Sequence, residues 1–305
     1  MRGGYKAGEA AGPSSRGGRG GPKKPPLTHF LCLPLVTAST QPQLEASLHK
    51  FRELVQSTNE ESEESTQIPA KAIRPLGTIH FTLGVMSLTS VDRVSEAIGF
   101  LQTFDLEGML KDILDEGEPS SEDVPAFPPR MSLTSLHSMH PPKKTSILYA
   151  GPDDSSGIFV PFCGKLRDTF SAAGFLVPDD RPLKLHATIV NTVYAKAGDR
   201  GKAGTGSAGL NGPQASAQGS GLPAESYSTQ DAPPETSRGH GRTSKAPMRL
   251  DATGLLDKCK DFVWAENFTI EKIAICKMGA KKILDDGGNL LDEQYEEVAT
   301  VSLTR

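Results

Sequence analysis

Two short stretches constrain this chain more than any other part of it. They are Thr78-Ile79-His80-Phe81-Thr82-Leu83 and Lys184-Leu185-His186-Ala187-Thr188-Ile189. Each sets a His and a Thr two residues apart inside an apolar run. On a β-strand, residues i and i+2 project from the same face. Each His then stands beside its Thr, while Ile79, Phe81 and Leu83, or Leu185, Ala187 and Ile189, pack behind the sheet. The chain holds seven histidines, and none of the others has a Thr two places on. Chance gives fewer than one such triplet in a chain of this composition, before asking that it sit in a strand. Two of them, in matching apolar settings, predict one functional unit used twice.

The formal charge of −4 over 305 residues names no partner, and length alone does not choose between one domain and two. No run approaches the ~18 apolar residues of a membrane span. The N-terminus lacks the apolar centre of a signal peptide. Cys32, Cys163, Cys259 and Cys276 form no C-x-x-C pair. They predict reduced thiols in an intracellular protein, nuclear or cytoplasmic, and not a zinc site or a disulfide framework.

Residues 1–26, rich in Gly, Pro, Ser and Arg, cannot form a core and predict a disordered tail. Arg2, Lys6, Arg16, Arg19, Lys23 and Lys24 stand there against Glu9 alone. The Arg-Gly-Gly pieces resemble RNA-associating tails, with a solubilising tail as the alternative, and Lys23-Lys24-Pro25-Pro26 is a candidate import signal. Order begins with a strand over 28–35. Thr40 at a cap position, Pro42 in the first turn and Leu44, Leu48, Phe51, Leu54 and Val55 at helical spacing predict a helix. An acidic loop follows at 57–67, then a strand at 72–87 carrying the first motif. Ser90 caps a second helix with Val94, Ile98 and Leu101 inward, and a short helix around Met109, Ile113 and Leu114 comes next.

Strands at 131–138 and 145–150 flank a Pro-Pro-Lys-Lys turn, with His137 and His140 read as turn or surface residues. A helix at 157–174 faces Phe159, Phe162, Leu166 and Phe170 inward, and a strand at 183–194 carries the second motif. Residues 196–246 have almost no large apolar side chains and predict a disordered insertion. A helix at 251–260, a strand around 267–277 and a last strand near 295–303 close the chain. Asp285-Asp286-Gly287-Gly288-Asn289 supplies hairpin-type turn residues between those two strands. The fold class is α+β.

Two His facing a cleft suit general acid–base catalysis, because an imidazole with a pKa near ~6.5 can be neutral while its partner is protonated. On a phosphodiester, one His takes a proton from the attacking hydroxyl or water, and the other gives one to the leaving oxygen. The Thr hydroxyls donate to the non-bridging oxygens. This set of groups lacks the carboxylates that magnesium sites need, so no metal is expected. Lys184 and Lys277 are candidates to meet a ribose-phosphate backbone, with solvated surface charge as the alternative. Tyr149 and Phe127 are candidates to stack a base, with a core role as the alternative.

The paired motifs resemble the His-x-Thr/Ser signatures of the 2H phosphoesterase superfamily, which includes 2′-5′ RNA ligase-like proteins and cyclic phosphodiesterases. Thr28-His29-Phe30-Leu31, Leu136-His137-Ser138-Met139 with Pro141-Pro142-Lys143-Lys144-Thr145, and Ile273-Ala274-Ile275-Cys276-Lys277-Met278-Gly279 are similar to one branch. That branch is the nuclear RNA-ligase-like domain shared by a kinase-anchoring protein and a subunit of the activating signal cointegrator complex. The resemblance spans roughly 27–195 and 248–305. It implies a bilobal fold with a pseudo-two-fold axis and a central cleft, His80 and His186 as the catalytic pair, and Thr82 and Thr188 as phosphate binders. It also implies no cofactor and an RNA or nucleotide substrate, in a monomer. The alternative it leaves open is a nucleotide- or RNA-binding subunit of a nuclear coactivator or RNA-processing complex. With the basic tail ahead of the domain and a strand at its close, neither the KH-linked role of the cointegrator subunit nor kinase anchoring is expected.

Overall fold

The two motifs fold side by side. In the computed structural model, which describes residues 25–61, 68–116, 127–195 and 247–303, the first part of the chain runs β1 (His29–Pro34), α1 (Gln41–Glu61), β2 (His80–Met86), α2 (Val91–Gln102) and α3 (Leu106–Glu116). The second part adds β3 (Arg130–Ser138), β4 (Ile147–Asp153), α4 (Phe159–Ala172), β5 (Ala187–Asn191) and α5 (Thr253–Lys258). The last part is all strand: β6 (Val263–Thr269), β7 (Lys272–Lys277), β8 (Lys281–Leu284), β9 (Leu290–Gln294) and β10 (Glu297–Ser302). The tail, but for its last two residues, and the 196–246 segment lie outside the described residues.

Eight strands form one curled antiparallel sheet in the order β10-β7-β1-β2-β5-β4-β3-β6, and β8 pairs with β9 as a separate hairpin. The motif strands β2 and β5 are the central pair. One lobe is therefore β10-β7-β1-β2 and the other is β6-β3-β4-β5, related by a pseudo-two-fold axis through the seam.

The helices bury the faces that their periodicity marks. In α1, Leu44, Leu48, Phe51 and Val55 are buried, and the Phe51 ring lies 5.3 Å from that of Trp264 in β6. Ser90 accepts the Arg93 amide and caps α2, where Leu101 is buried as expected and Val94 packs partly buried on the core, but Ala97 takes the buried place expected of Ile98. Phe159, Phe162, Leu166 and Phe170 of α4 are all buried, each contributing about 1.5–3 kcal/mol. The chain leaves α4 through Gly174 at φ +71°, a conformation that suits glycine. These side chains share one core with Leu31, Leu33, Phe81, Ala187 and Ile189 of the sheet. The other sheet face carries a smaller apolar cluster, Phe30, Cys32, Ala274 and Cys276.

Several boundaries differ from those the sequence predicts. The strand expected over 72–87 begins only at His80, because Pro69 and Pro75 each start a single 3-10 turn, Ala70–Ala72 and Leu76–Thr78. The strand expected over 183–194 is reduced to Ala187–Asn191, so His186 stands one residue ahead of it. The first residues of the predicted acidic loop continue α1 to Glu61, and the rest of that loop lies outside the described residues. The run at 267–277 is parts of two strands, β6 and β7, which belong to opposite lobes. The Asp285–Asn289 turn closes an additional hairpin, β8–β9. Thr40 occupies the expected helix-start position, but its hydroxyl turns backward, accepting from the Thr37 amide and donating to the Leu35 carbonyl.

The hairpin is held against the sheet by the Gly77 amide, which donates to the Asp292 carboxylate at 3.0 Å. A Cβ on Gly77 would come within 2.7 Å of the Glu293 carbonyl oxygen. Gly77→Ala should therefore release β8–β9 at a cost of about 1–3 kcal/mol. Hydrogen exchange should speed up over 281–294 while the amides of β2 and β5 keep their protection. Uniform loss across the sheet would contradict a local anchoring role.

His29 is buried, with Nδ1 2.9 Å from the Thr28 hydroxyl and, among the described residues, no hydrogen-bond partner for Nε2. Burial and the nearby Lys277 hold its pKa below the ordinary histidine value. The unfolded chain then binds a proton near pH ~6.5 that the folded chain refuses. This stabilisation is complete above that pH and is lost as pH falls through the lowered folded value. The denaturant midpoint should fall between pH 7 and pH 5, and His29→Gln should flatten part of that slope. An unchanged slope in the variant would rule His29 out as the cause.

Candidate active site

His80, Thr82, His186 and Thr188 emerge on the sheet face opposite the helices, all half-buried, while the alternating Ile79, Phe81, Leu83, Leu185, Ala187 and Ile189 are buried. Phe81 pairs with Ala187 across the seam. Extending that antiparallel register one residue each way sets His80 opposite Thr188 and Thr82 opposite His186, with Cβ separations of ~4.5–5.5 Å. Each His thus has one Thr along its own strand and the other across from it.

Both imidazoles are oriented in the same way. His80 Nδ1 lies 2.8 Å from the Thr78 carbonyl oxygen, and His186 Nδ1 lies 2.7 Å from the Lys184 carbonyl oxygen, in each case two residues back along the chain. A carbonyl only accepts, so Nδ1 carries the hydrogen, and Nε2 is the atom that exchanges protons with the cleft. His80 Nε2 is 2.9 Å from the Thr82 hydroxyl.

Beside His80 the wall is aromatic. The Phe30 and Tyr295 rings lie 5.0 and 5.3 Å from the imidazole, and 4.9 Å from each other edge to face. Tyr295 and His80 border a cavity of about 430 Å³ lined also by Cys32, Pro34, Gly77, Cys276, Gln294 and Glu297. Cys32 and Cys276 touch there at 3.6 Å between sulfurs, and burial pushes the Cys32 thiol well up, so it packs as a small apolar group. Arg74, 3 % exposed, lies with its guanidinium 3.9 Å over the Tyr194 ring and donates to the Tyr295 hydroxyl at 3.5 Å. It makes no ion pair with a carboxylate among the described residues. Its charge is held by one aromatic face and one hydroxyl.

Beside His186 the neighbours are Tyr149, edge-on at 5.7 Å, and Lys184, whose ammonium sits 4.7 Å over the Tyr149 ring. Tyr149 is buried, and its far side meets the exposed His137 ring at 5.4 Å. Lys277 is not brought to this cleft. Strand alternation turns it away from Cys276, and its ammonium binds Glu296 at 2.6 Å, holding that carboxyl down at about 2. Phe127 packs on Phe162 at 4.7 Å, within the core. A larger hollow of about 640 Å³, between α1 and β6, contains none of the motif residues. Among the described residues no three His, Cys, Asp or Glu side chains converge as a metal site, and no helix is long and apolar enough to cross a membrane.

A family model described as the AKAP7 2′5′ RNA ligase-like domain matches residues 27–287. The chain belongs to that family. No relative matches among curated proteins. Solved structures that are similar include E. coli LigT complexed with 3′-AMP, at 12 % identity, TM-score 0.39, covering 92 % of this chain and 99 % of that one. E. coli LigT complexed with NADP+ matches at 11 % identity and TM-score 0.39, with the same coverage. TT0787 of Thermus thermophilus matches at 11 % identity and TM-score 0.39, covering 91 % and 98 %.

Within this AKAP7-like domain, sequence reasoning missed Phe30, Arg74, Tyr194 and Tyr295; His137, read as a turn or surface residue, is exposed near the end of β3. Nothing in their local patterns marks them. Arg74 sits in a Pro-flanked connector, Tyr295 between two short strands, and Phe30 in an apolar run where either face could be the core. His137 carried one signal. The alternation Met131, Leu133 breaks to Leu136 in β3, where a bulge with Ser135 at φ +59° inserts one residue. That slip turns His137 onto the cleft face opposite Tyr149.

The carbonyl partners fix a testable property. At pH above the imidazole range, ¹⁵N spectra should show both His80 and His186 with Nδ1 protonated, against the Nε2–H form usual for free histidine. Nε2–H signals for both would refute the orientation described.

Proposed function

We propose that this domain is a phosphodiesterase acting on RNA ends or on cyclic or 2′-5′ phosphodiesters, with His80 and His186 as the acid–base pair. The observation that carries the reading is the doubled geometry at the seam. Two imidazoles, each oriented by a carbonyl two residues back, present Nε2 to one face with two Thr hydroxyls between them. One Nε2, unprotonated, takes the proton of the attacking water or hydroxyl as its oxygen bonds to phosphorus. The other, protonated, delivers a proton to the departing ribose oxygen as the old P–O bond breaks. Thr82 and Thr188 donate to the non-bridging oxygens, where negative charge must be held. The two His exchange protonation states over a turnover, which suits a near-symmetric pair. Membership of the family supports phosphodiester chemistry in general, and the choice among substrates is the proposal.

The test is an EDTA-treated assay on short RNAs with 2′,3′-cyclic ends, 3′-phosphate ends, 2′-5′ linkages or poly-U tails. Wild type should cleave one class. His80→Ala and His186→Ala should each lose about 10²–10⁴-fold in kcat, the usual contribution of a positioned acid or base. Thr82→Val and Thr188→Val should lose less, with the fold intact by circular dichroism. Turnover that survives in the His80→Ala, His186→Ala double variant overturns the mechanism. Silence across the panel, with nucleotides still binding in the cleft, makes the domain a recognition module.

A further inference from the structure

Two thiols meet beside the first motif. Cys32 on β1 and Cys276 on β7 hold their sulfurs 3.6 Å apart, in the apolar cluster on the cleft face of the sheet. In the β1–β7 ladder Cys32 faces Ala274 and Cys276 faces Phe30, so the two cysteines are diagonal neighbours on adjacent strands. Both line the cavity of about 430 Å³ that His80 borders. Cys163 and Cys259 sit instead in the core on the helix side, and neither lines that cavity.

The pair adjoins the motif through both strands. Across the β1–β2 ladder Cys32 is the register partner of Thr82, beside the bulge at Leu31 and Cys32. Phe30, opposite Cys276, holds its ring 5.0 Å from the His80 imidazole. A disulfide has an S–S length of about 2.05 Å, so forming one draws these sulfurs together by about 1.5 Å. That movement falls on the immediate neighbours of Thr82 and His80.

We propose that Cys32 and Cys276 are a redox modification site, at which a peroxide converts the thiol pair to a disulfide and lowers the activity of the cleft. One thiol and hydrogen peroxide give a sulfenic acid and water. The second sulfur then attacks the first, and the sulfenic oxygen leaves as water with the second thiol's proton. In all, two thiols lose two hydrogens, and the peroxide O–O bond is reduced to two waters. Burial keeps Cys32 in its neutral form, and the thiolate is the reactive species. The first step is therefore slow and needs an oxidant small enough to enter the cavity. The second is fast, because the partner sulfur is already in contact. A dithiol restores both thiols by exchange and is itself oxidised to a disulfide. The bridge stands apart from the reading of the site given above, and its effect on turnover rests on that reading.

The test treats the full chain with hydrogen peroxide, blocks remaining thiols with N-ethylmaleimide after unfolding, and maps the digest by mass spectrometry. A peptide linked through Cys32 and Cys276 should appear, with Cys163 and Cys259 still alkylated, and dithiothreitol should remove it. Cys32→Ala and Cys276→Ala should each lose the link, and Cys163→Ala should keep it. In ¹⁵N spectra of the oxidised chain, the His80 ring signals should shift more than those of His186. Turnover on the RNA class that is cleaved should fall about tenfold to a hundredfold, the order expected of a displacement of about 1 Å. It should return with dithiothreitol, and peroxide should leave the turnover of Cys276→Ala unchanged. No linked peptide, a link that forms only in the unfolded chain, or a link that alters neither His80 nor turnover overturns the proposal. A link that shifts His80 in a chain with no turnover on any RNA keeps the modification site and discards the catalytic reading.

Discussion

Phe81 and Ala187 face each other at the centre of the sheet, both wholly buried, and the rest of the molecule is arranged around that contact. A slip of one residue in either strand would drive a His and a Thr into the core and expose Phe81 or Ala187. The apolar side of the seam therefore fixes the polar side. Hydrophobic burial beneath β2 and β5 is what holds two imidazoles and two hydroxyls at one spot. The helices contribute by covering that apolar face, as where the Phe159 ring of α4 lies 6.2 Å from Phe81.

From this seam the lobes diverge in chemistry while keeping their topology. The first lobe surrounds its His with rings and with ion pairs that cancel charge. The second surrounds its His with a tyrosine and lysines that keep theirs. Arg74 complicates the first lobe. It is a buried cation held by the Tyr194 ring and the Tyr295 hydroxyl, and the Tyr295 ring in turn packs 5.3 Å from that of His80.

The legible part of the fold was the part written in local periodicity. The inward residues of α1 and α4 follow from the 3.6-residue repeat, because a helix decides its own faces from neighbours in sequence; in α2 the buried stripe falls on Ala97 and Leu101, one residue off Ile98. The faces of both His-x-Thr motifs follow from the two-residue repeat for the same reason. Strand ends were less legible. Pro75 and the short turn after it cut the first motif strand at His80, and ladder bonds to β5 decide where a run of apolar residues stops being a strand.

What the sequence by itself determined is which side chains share a face: His80 with Thr82, His186 with Thr188, and a core beneath them. Only the tertiary structure decided which strands are neighbours, and that brought Tyr149 and Lys184 to His186 and Phe30 and Tyr295 to His80. It also gave Lys277 to Glu296, and used the bulge at Ser135 to bring His137 onto the cleft face. The physical reason is that side-chain period is set by bonds along the chain, whereas adjacency and register depend on burial summed over residues far apart in it.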